Sequence, residues 1–402
     1  MLPTRSASTG LRRLVLVAGM ASLLDSAAIV SVGSALPLWR SDLGLDDWSV
    51  GFVSFALTLS IAAGALVGGP VSDRVGRHRV FSATVVLYAL GAAVVAGAHQ
   101  AWALYGGVVL LGIASGADLP ASLGMVSERA PVAVRGRLIA LTHVMWTVGI
   151  LLATALALVV SPFGVDGMRA VFGVLAVAAL LTVVARVRLT ASLAEDRSPQ
   201  PRAVVPRRSS EGTLRTAGLL AAFYVVYTLL ANTFGSFRTY FLVVVGGAGQ
   251  SAATAISFGV TLLGLAGTIG FSLLADTPWR RRVFPAGAVL LVGSQLLIAV
   301  SGGTSIAVVL VALILYSLAY PFVGEGLYKV WTQELVDTEW RGTVQGTTIA
   351  LARAAAAAFA VVTPALMSWS PSVLFAILTG CALVSTAVGV VIMRTSTSAR
   401  PG

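Results

Sequence analysis

Among the ionisable residues that interrupt the long apolar stretches of this sequence, six have types and positions that could support chemistry. A charge inside an apolar helix is costly, so such residues usually face a cavity or a partner. Carboxylates in this setting can exchange protons, because a low dielectric stabilises the neutral acid. Cations there can bind anionic or hydroxylated molecules. The six residues are Asp25, Asp118, Arg238, Glu325, Lys329 and Arg353.

Asp25 is the first candidate for a proton-coupling site. It lies near the centre of the first apolar stretch, in LLDSAAIVSVG. A carboxylate in a low-dielectric cavity can take up a proton from one side of a membrane and release it on the other when the conformation changes. The alternative is a structural aspartate that caps a helix break or pairs with an arginine.

Asp118 and Glu325 are the other two candidate proton-coupling acids. When the two halves of the chain are aligned on Glu128 and Glu334, Glu325 falls within one residue of Asp118. In a chain of two repeated halves these two acids are expected at equivalent places, facing each other across the symmetry axis. Lys329 follows Glu325 by four residues on the same helical face, which predicts either an internal ion pair or direct substrate contact.

The candidate substrate-binding residues combine cations with polar and aromatic side chains. Arg238 could bind a carboxylate or phosphate, or could extend its guanidinium to the outer surface. Asn232 and Tyr320 are polar, lie away from the helix ends and could line a pocket. Lys329 and Arg353 complete the set, and the three cations favour polar or anionic cargo.

A pair of charged loop motifs occurs twice, about half a chain apart. GGPVSDRVGRHRVF at 68–81 is repeated as SLLADTPWRRRVF at 272–284, and ERAPVAVRGRL at 128–138 is repeated within QELVDTEWRGTVQG at 333–346. A fixed-offset repeat between membrane-length segments is typical of a transporter with two parallel halves. The alternative is that these charges only set topology and anchor helix ends. Paired across neighbouring helix ends, they predict a cytoplasmic gate of Asp73, Arg77, Glu128, Arg135, Asp276, Arg280, Glu334 and Arg341.

The elements that carry these residues are predicted to be membrane helices. Hydrophobic residues make up 57% of the chain and charged residues 11%, whereas soluble proteins carry about a quarter charged residues. A helix needs about 20 apolar residues to cross a bilayer, and barrel strands would show alternation that is absent here. The sequence predicts an all-α integral membrane fold of twelve transmembrane helices in two pseudo-symmetric six-helix bundles. The stretches are 14–38, 48–70, 80–98, 102–127, 138–160, 170–190, 216–243, 250–274, 284–301, 305–330, 343–368 and 372–393.

A hydrophilic segment rich in Pro, Ser and Arg separates the two halves. It predicts an N-terminal bundle over 1–190, a cytoplasmic linker over 191–213 and a C-terminal bundle over 214–402. Most of the 27 lysines and arginines fall on the side of this linker, including the run from Arg186 to Arg215. By the positive-inside rule that side and both termini are cytoplasmic. We therefore expect a multi-pass protein of the inner (plasma) membrane, whose charge of +11 records topology and predicts no nucleic-acid partner.

The motifs also resemble those of a known family. GGPVSDRVGRHRVF is similar to the loop motif of the major facilitator superfamily, and the two Glu and Arg-Gly segments resemble signatures of its sugar-porter branch. The resemblance implies the major facilitator fold. Proton-coupled sugar porters of this family have an acidic residue in helix 1, and Asp25 lies in a similar segment of the first predicted helix. GIASGADLP around Asp118 resembles helix 4 of proton-linked phosphate and organic-anion permeases, with Val108 where those carry an arginine. The second loop copy departs from the pattern, because Trp279 stands where the first copy has Gly76.

Together these features predict a secondary active transporter. It is expected to import a small polar solute, a sugar, polyol or organic acid, with protons by alternating access. The alternatives are proton-antiport export of drugs or metabolites, and a receptor that keeps the fold without transport. No enzyme is predicted, because no nucleophile and base have recognisable spacing, and neither a metal cluster nor another cofactor is expected. The expected partners are the solute, protons and the lipid bilayer, and the protein is expected to be a monomer.

Overall fold

The computed structural model describes residues 5–129, 132–194, 211–274, 277, 279–336 and 340–398, and all regular secondary structure in this part of the chain is helical. Side chains are described except at 5–15, 69, 70, 72, 73, 77, 78, 119–121, 123–143, 190–194, 211, 213, 272, 333, 341–343 and 395–398. The helices are α1 (Arg5–Asp42), α2 (Asp47–Val75), α3 (Arg77–Ala96), α4 (Ala101–Arg129), α5 (Val132–Val160), α6 (Gly164–Ala194), α7 (Glu211–Val244), α8 (Gln250–Leu274), α9 (Trp279–Ser301), α10 (Ile306–Val323), α11 (Glu325–Leu335), α12 (Arg341–Trp369) and α13 (Pro371–Ser398).

Eleven stretches of the described helices are long and apolar enough to cross a membrane. One of them, Val144–Leu189, has 46 residues and spans parts of both α5 and α6, which a short 3-10 helix at Ser161–Phe163 separates. The protein is therefore an all-helical, multi-pass membrane protein. Each predicted apolar stretch coincides with one helix, apart from the tenth.

The tenth predicted stretch, 305–330, is divided into α10 and α11 at Gly324. Pro321 lies in the last turn of α10 and has no N–H group for helical hydrogen bonding. A side chain at position 324 would collide with the Tyr227 hydroxyl, so glycine is the residue that fits at the break. The break places Glu325 in the first turn of α11.

Loop residues determine where α2 and α3 begin. Asp46 Oδ1 accepts a hydrogen bond from the Ser49 N–H at 2.8 Å, and hydrogen bonding from Ser49 lowers the pKa of the Asp46 carboxyl below its ordinary value. Gly76 precedes α3 with φ +100°, a backbone conformation that favours glycine. Trp279, at the corresponding place in the second copy, is instead the first residue of α9, and the Arg282 guanidinium lies 4.9 Å from its ring.

The chain divides into two compact units. The first unit comprises Met1–Leu45 and Val53–Arg202, and the second comprises Asp46–Phe52 and Ala203–Gly402. In the first unit α1 packs on α5, and α3 packs on α4 and α6. In the second unit α7 packs on α12 and α13, and α9 packs on α10 and α13.

Small residues let the helices of the first unit approach closely. A Cβ atom at Gly116 of α4 would overlap the Ile61 carbonyl oxygen of α2, and one at Gly149 of α5 would overlap Ser26 and the Leu23 carbonyl of α1. Such contacts between backbones are typical of helices packed in lipid. They hold α1 and α4, the two helices that carry Asp25 and Asp118, against their neighbours.

Arg169 joins helix ends in the same unit. Its guanidinium forms ion pairs with Asp42 at 2.9 Å and with Asp166 at 2.8 Å. It also donates a hydrogen bond to the Ala98 carbonyl at 3.2 Å. The end of α1, the start of α6 and the loop between α3 and α4 are thereby connected.

Candidate functional site

Asp25 lies inside the first unit, on α1, with 1% of its surface exposed. Tyr88 of α3 donates its hydroxyl to the adjacent Leu24 carbonyl at 2.7 Å, and Ser26 donates to the Trp146 carbonyl of α5 at 2.7 Å. Tyr88 also interacts electrostatically with Asp25. The backbone on both sides of Asp25 is thus fixed by two neighbouring helices, which holds a titratable carboxyl group in a rigid, buried position.

Asp118 of α4 forms a buried, bidentate ion pair with Arg186 of α6. Arg186 Nη1 lies 2.6 Å from Oδ1 and Nη2 lies 2.7 Å from Oδ2. Thr84 of α3 donates a hydrogen bond to Oδ1 at 2.8 Å. The guanidinium also donates to the Phe81 carbonyl and lies 3.8 Å from the centre of the Phe81 ring. Paired N–H···O bonds of this kind are the strong form of charge-assisted hydrogen bond.

The position of Arg186 corrects the charge pattern read from the sequence. That pattern counts Arg186 among the cytoplasmic arginines, whereas its side chain is fully buried in the first unit. It can remain there because Asp118 compensates its charge. Its place within the predicted stretch 170–190, where an arginine requires a partner, is a signal that it shares with the exposed Arg188.

A small cavity lies between the surroundings of Asp25 and the Asp118–Arg186 pair. Its volume is about 10 Å³, close to that of one water molecule. Thr84 and Tyr88 are one turn apart on α3, and they bond to Asp118 and to the backbone beside Asp25, respectively. We call Asp25, Tyr88, Thr84, Asp118 and Arg186 the polar chain of the first unit. The cavity is lined by Ala21, Leu24, Thr84, Val85, Tyr88, Ala114, Ser115 and Asp118.

Arg238 of α7 reaches across to α8 within the second unit. Its Nε donates to the Ser257 hydroxyl at 3.3 Å and its Nη2 donates to the Thr261 hydroxyl at 3.1 Å. Thr261 follows Gln250, the first residue of α8, by eleven positions, which corresponds to about 16 Å along the helix. The guanidinium therefore lies among packed helices and does not extend to a helix end.

Two tyrosines of α10 lie near this guanidinium. Tyr316 and Tyr320 both interact electrostatically with Arg238. Tyr316 stacks on Phe234 with 4.1 Å between ring centres, and the Tyr320 hydroxyl lies 3.4 Å from Thr268 Oγ1 of α8. Three helices thus bring a cation, two phenols and several hydroxyls together. The Arg238 cluster is defined as Phe234, Arg238, Ser257, Thr261, Tyr316 and Tyr320.

Glu325 pairs with Lys329 one turn further along α11, with 2.7 Å between Oε1 and Nζ. The structure therefore contains the internal ion pair that their spacing predicts. Tyr224 of α7 interacts electrostatically with both Glu325 and Arg353 of α12, and it stacks on Tyr328 with 4.1 Å between ring centres. Glu325, Lys329 and Arg353 consequently share one region of the second unit.

The two remaining predicted substrate residues have different surroundings. Tyr320 interacts electrostatically with Glu325 as well as with Arg238, so it connects the two groups. Asn232 is half-buried on α7, six positions before Arg238, which places it about 120° around the helix. Among the residues described, no hydrogen bond joins Asn232 to the Arg238 cluster.

Two of the eight predicted gate residues form an ion pair. Arg280 of α9 and Glu334 of α11 make three hydrogen bonds of 2.8–3.1 Å, with Glu334 partly exposed. The structure thus brings together one acid and one base of the repeated motifs. The side chains of the other six lie outside the described part of the protein, namely Asp73, Arg77, Glu128, Arg135, Asp276 and Arg341.

The sequence is similar to known membrane transporters. It matches the family model of the Major Facilitator Superfamily over residues 15–361. It is 29% identical over 392 residues to the minor myo-inositol transporter IolF of Bacillus subtilis (strain 168), which covers 93% of this chain and 89% of that protein. A shorter similarity, 31% over 163 residues, relates it to the niacin transporter NiaP of Acinetobacter baylyi, covering 38% of this chain and 36% of that one.

The fold is similar to solved transporter structures. Against the crystal structure of a D-xylose–proton symporter the TM-score is 0.77 at 15% identity, covering 93% of this chain and 96% of that one. Against a bacterial homologue of the human lysosomal transporter Spinster the TM-score is 0.72 at 16% identity, covering 100% and 99%. At these identities the similarity concerns the fold.

Proposed function

The chain belongs to the Major Facilitator Superfamily, and on that premise we propose that it is a secondary active transporter that couples the entry of a small polar solute to proton influx. The solute classes are sugar, polyol and small organic acid. Support for this range comes from relatives whose names specify myo-inositol and niacin. The observation that carries the proton coupling is the buried carboxyl group of Asp25 at one end of the polar chain of the first unit.

Asp25 is proposed as the primary proton site. Burial disfavours the charged form of a carboxyl group. Hydrogen bonds of Tyr88 and Ser26 tie the backbone next to Asp25 to α3 and α5, so a movement of α1 on protonation would be transmitted to both helices. Asp118 and Glu325 are proposed as secondary sites. Because each already pairs with a cation, its protonation would release Arg186 or Lys329 to other partners.

The proposed substrate residues belong to the second unit. They are Asn232, Arg238, Tyr320, Lys329 and Arg353, of which Arg238 and Tyr320 are members of the Arg238 cluster. Guanidinium, ammonium, amide and phenol groups can all hydrogen-bond the hydroxyl or carboxyl oxygens of a small polar solute. In this proposal the primary proton site, Asp25, belongs to the first unit, whereas the solute-binding residues belong to the second unit.

The proposed architecture completes this mechanism. Counting Val144–Leu189 as two crossings gives twelve membrane helices, arranged as six-helix bundles over 1–190 and 214–402 with a cytoplasmic linker over 191–213. The bundles are proposed to alternate access, with the Arg280–Glu334 pair and the other predicted gate residues closing the cytoplasmic side. A monomer in the plasma membrane with both termini in the cytoplasm is proposed, on the basis of the positive-inside rule.

The proton-coupling proposal is tested by Asp25→Asn. Cells in weakly buffered medium receive sugars, polyols, organic acids and amphipathic drugs in turn, and external pH is recorded. We expect one solute to make the medium alkaline with the wild type and not with Asp25→Asn, because an amide cannot carry the proton. Exchange of labelled for unlabelled solute should survive in the variant.

Asp166→Asn is the matched control, since this carboxylate has a side chain that is 82% exposed. It should couple like the wild type. Alkalinisation that persists in Asp25→Asn would contradict the role of Asp25. Silence with every solute, combined with drug-induced proton release from energised everted vesicles, would instead identify an exporter.

A further inference from the structure

Arg238 differs from three other described cations in the chemistry of its partners. Arg186, Arg280 and Lys329 each lie within 2.8 Å of a carboxylate oxygen. Arg238 is held by the hydroxyls of Ser257 and Thr261, and no carboxylate among the described residues lies within ion-pair distance of it. Its positive charge is solvated by neutral groups.

This arrangement leaves the charge of Arg238 incompletely compensated. Arg238 is half-buried. A guanidinium partly removed from water loses hydration that hydroxyl groups replace only in part, and an anion at bonding distance would recover it. Of its five N–H donors, the structure assigns two to Ser257 and Thr261. The remaining donors can form the planar, paired hydrogen bonds with which arginine binds a carboxylate.

A cavity beside Arg238 provides room for a ligand atom. Its volume is about 10 Å³, which suits a single oxygen atom next to the guanidinium. Most of its wall is aromatic or aliphatic, and the Phe234 ring that lines it also stacks on Tyr316. The lining residues are Thr233, Phe234, Phe237, Arg238, Phe241, Leu313, Met367 and Phe375.

Glycine at position 264 keeps Tyr320 in this cluster. A Cβ atom there would lie 2.7 Å from Cε1 of the Tyr320 ring, closer than carbon atoms pack. Tyr320 can therefore lie against α8, near Thr268 and within electrostatic range of Arg238. The cluster thus combines one cation with several hydroxyl groups, which is a set suited to an anion.

We propose that the Arg238 cluster binds the carboxylate group of a small organic acid, with one carboxylate oxygen in the cavity beside the guanidinium. The proposal rests on the proposed transport function and narrows its substrate class to organic anions. A neutral sugar or polyol could hydrogen-bond the same groups, but it would leave the guanidinium charge uncompensated.

The test measures ligand-induced thermal stabilisation of the full-length protein in detergent. The probes form matched pairs that differ in the acid group: benzoate with benzamide, and quinate with myo-inositol. We expect a carboxylate, and not its neutral partner, to raise the unfolding temperature of the wild type. Arg238→Gln should weaken carboxylate binding by about 10- to 100-fold, the range for losing hydrogen bonds to a charged group.

Two further variants separate binding from folding. Arg238→Lys retains the charge without the planar fork, so it should bind the carboxylate more weakly than the wild type and more tightly than Arg238→Gln. Arg215→Gln makes the same exchange at an exposed position of the same helix and should bind like the wild type. Should Arg238→Gln fail to fold, the comparison of Arg238→Lys with the wild type still decides the result.

The outcomes are distinguishable from those of the proton-coupling test. Equal stabilisation by benzoate and benzamide, equal binding by Arg238→Gln, or no stabilisation by either carboxylate would overturn the anion site. If only myo-inositol binds, the proposed anion site is wrong. The proposal of proton-coupled transport is then decided separately by the pH assay with Asp25→Asn. If a carboxylate binds through Arg238 but drives no pH change in cells, the transport proposal fails and the anion site stands.

Discussion

At the scale of single residues, the two candidate proton-coupling acids of the first unit, Asp25 and Asp118, are both buried. Asp118 is held in a bidentate ion pair with Arg186, supported by Thr84 and Ser122. Asp25 instead lies beside helix backbone that Tyr88 fixes. An adjacent cation stabilises the charged form of a carboxylate. Proton exchange at Asp118 therefore requires the pair with Arg186 to separate. Asp25 remains the proposed primary proton site because its carboxyl group is buried, with 1% of its surface exposed.

We predict that the Asp118–Arg186 pair stabilises the first unit chiefly through charge compensation. Arg186→Gln should lower the free energy of unfolding by about 3–5 kcal/mol, because it leaves a buried carboxylate without its counter-ion. Asp118→Asn should have a similar effect by leaving a buried guanidinium. The measurement is the thermal unfolding of each purified variant in detergent, followed by tryptophan fluorescence.

The double variant Asp118→Asn with Arg186→Gln is the decisive control. It removes both charges, so its loss of stability should be clearly smaller than the sum of the two single losses. Additive losses would show that the two side chains act independently, contrary to the bidentate geometry. A wild-type unfolding temperature for Arg186→Gln alone would be equally incompatible with this role.

At the scale of helices, close backbone packing depends on glycine at specific positions. Gly116 and Gly106 both lie on α4, but only Gly116 contacts another helix, where it meets the carbonyl of Ile61 on α2. Gly106 has open space around its Cα atom. The sequence shows both as glycines in an apolar stretch and offers no means to tell them apart.

Gly116→Ala is predicted to destabilise the protein by about 1–3 kcal/mol, the usual cost of an added methyl group in a packed interior. Gly106→Ala, on the same helix, should be neutral or slightly stabilising, since alanine is the better helix former. Thermal unfolding in detergent measures both. Equal unfolding temperatures for the two variants would mean that α2 and α4 can separate without cost.

At the scale of the whole molecule, two acids at aligned positions of the two halves have different cation partners. The aligned acids Asp118 and Glu325 each pair with a cation, but Asp118 takes Arg186 from another helix whereas Glu325 takes Lys329 from the next turn of its own. The helix break at Gly324 accompanies this difference. At this pair of positions both halves have an acid, while the origin of the paired cation differs.

The predicted orientation of the whole chain can be tested by thiol labelling. The only cysteine, Cys381, is half-buried in α13 and can be replaced by serine to give an unreactive background. In that background, Thr304→Cys at the exposed α9–α10 loop should react with an impermeant maleimide in intact cells. Ser198→Cys in the predicted linker should react only after permeabilisation, because the arginine-rich side is expected inside. The reverse pattern would invert the topology.

The sequence by itself determined the helical membrane fold of this protein. The number of consecutive apolar residues decides whether a helix can cross a bilayer, and this number can be counted directly in the sequence. The ion pair of Glu325 with Lys329 was predictable for the same reason, since four residues of helix place two side chains on one face. The family was also accessible, because its motifs are short contiguous segments such as GGPVSDRVGRHRVF.

Only the tertiary structure decided which polar side chains meet across helices. Arg186 lies 68 positions after Asp118, and Ser257 and Thr261 lie about twenty positions after Arg238. Nothing in the local pattern fixes how far two helices are rotated about their axes, so the sequence could not pair these residues. The rotation is set by the sum of many packing contacts between helices. Some of these contacts are made by glycines, which look alike in the sequence and differ only in whether another helix packs against them. The partners of Asp118 and Arg238 therefore follow from packing, whereas their presence inside the membrane follows from the sequence.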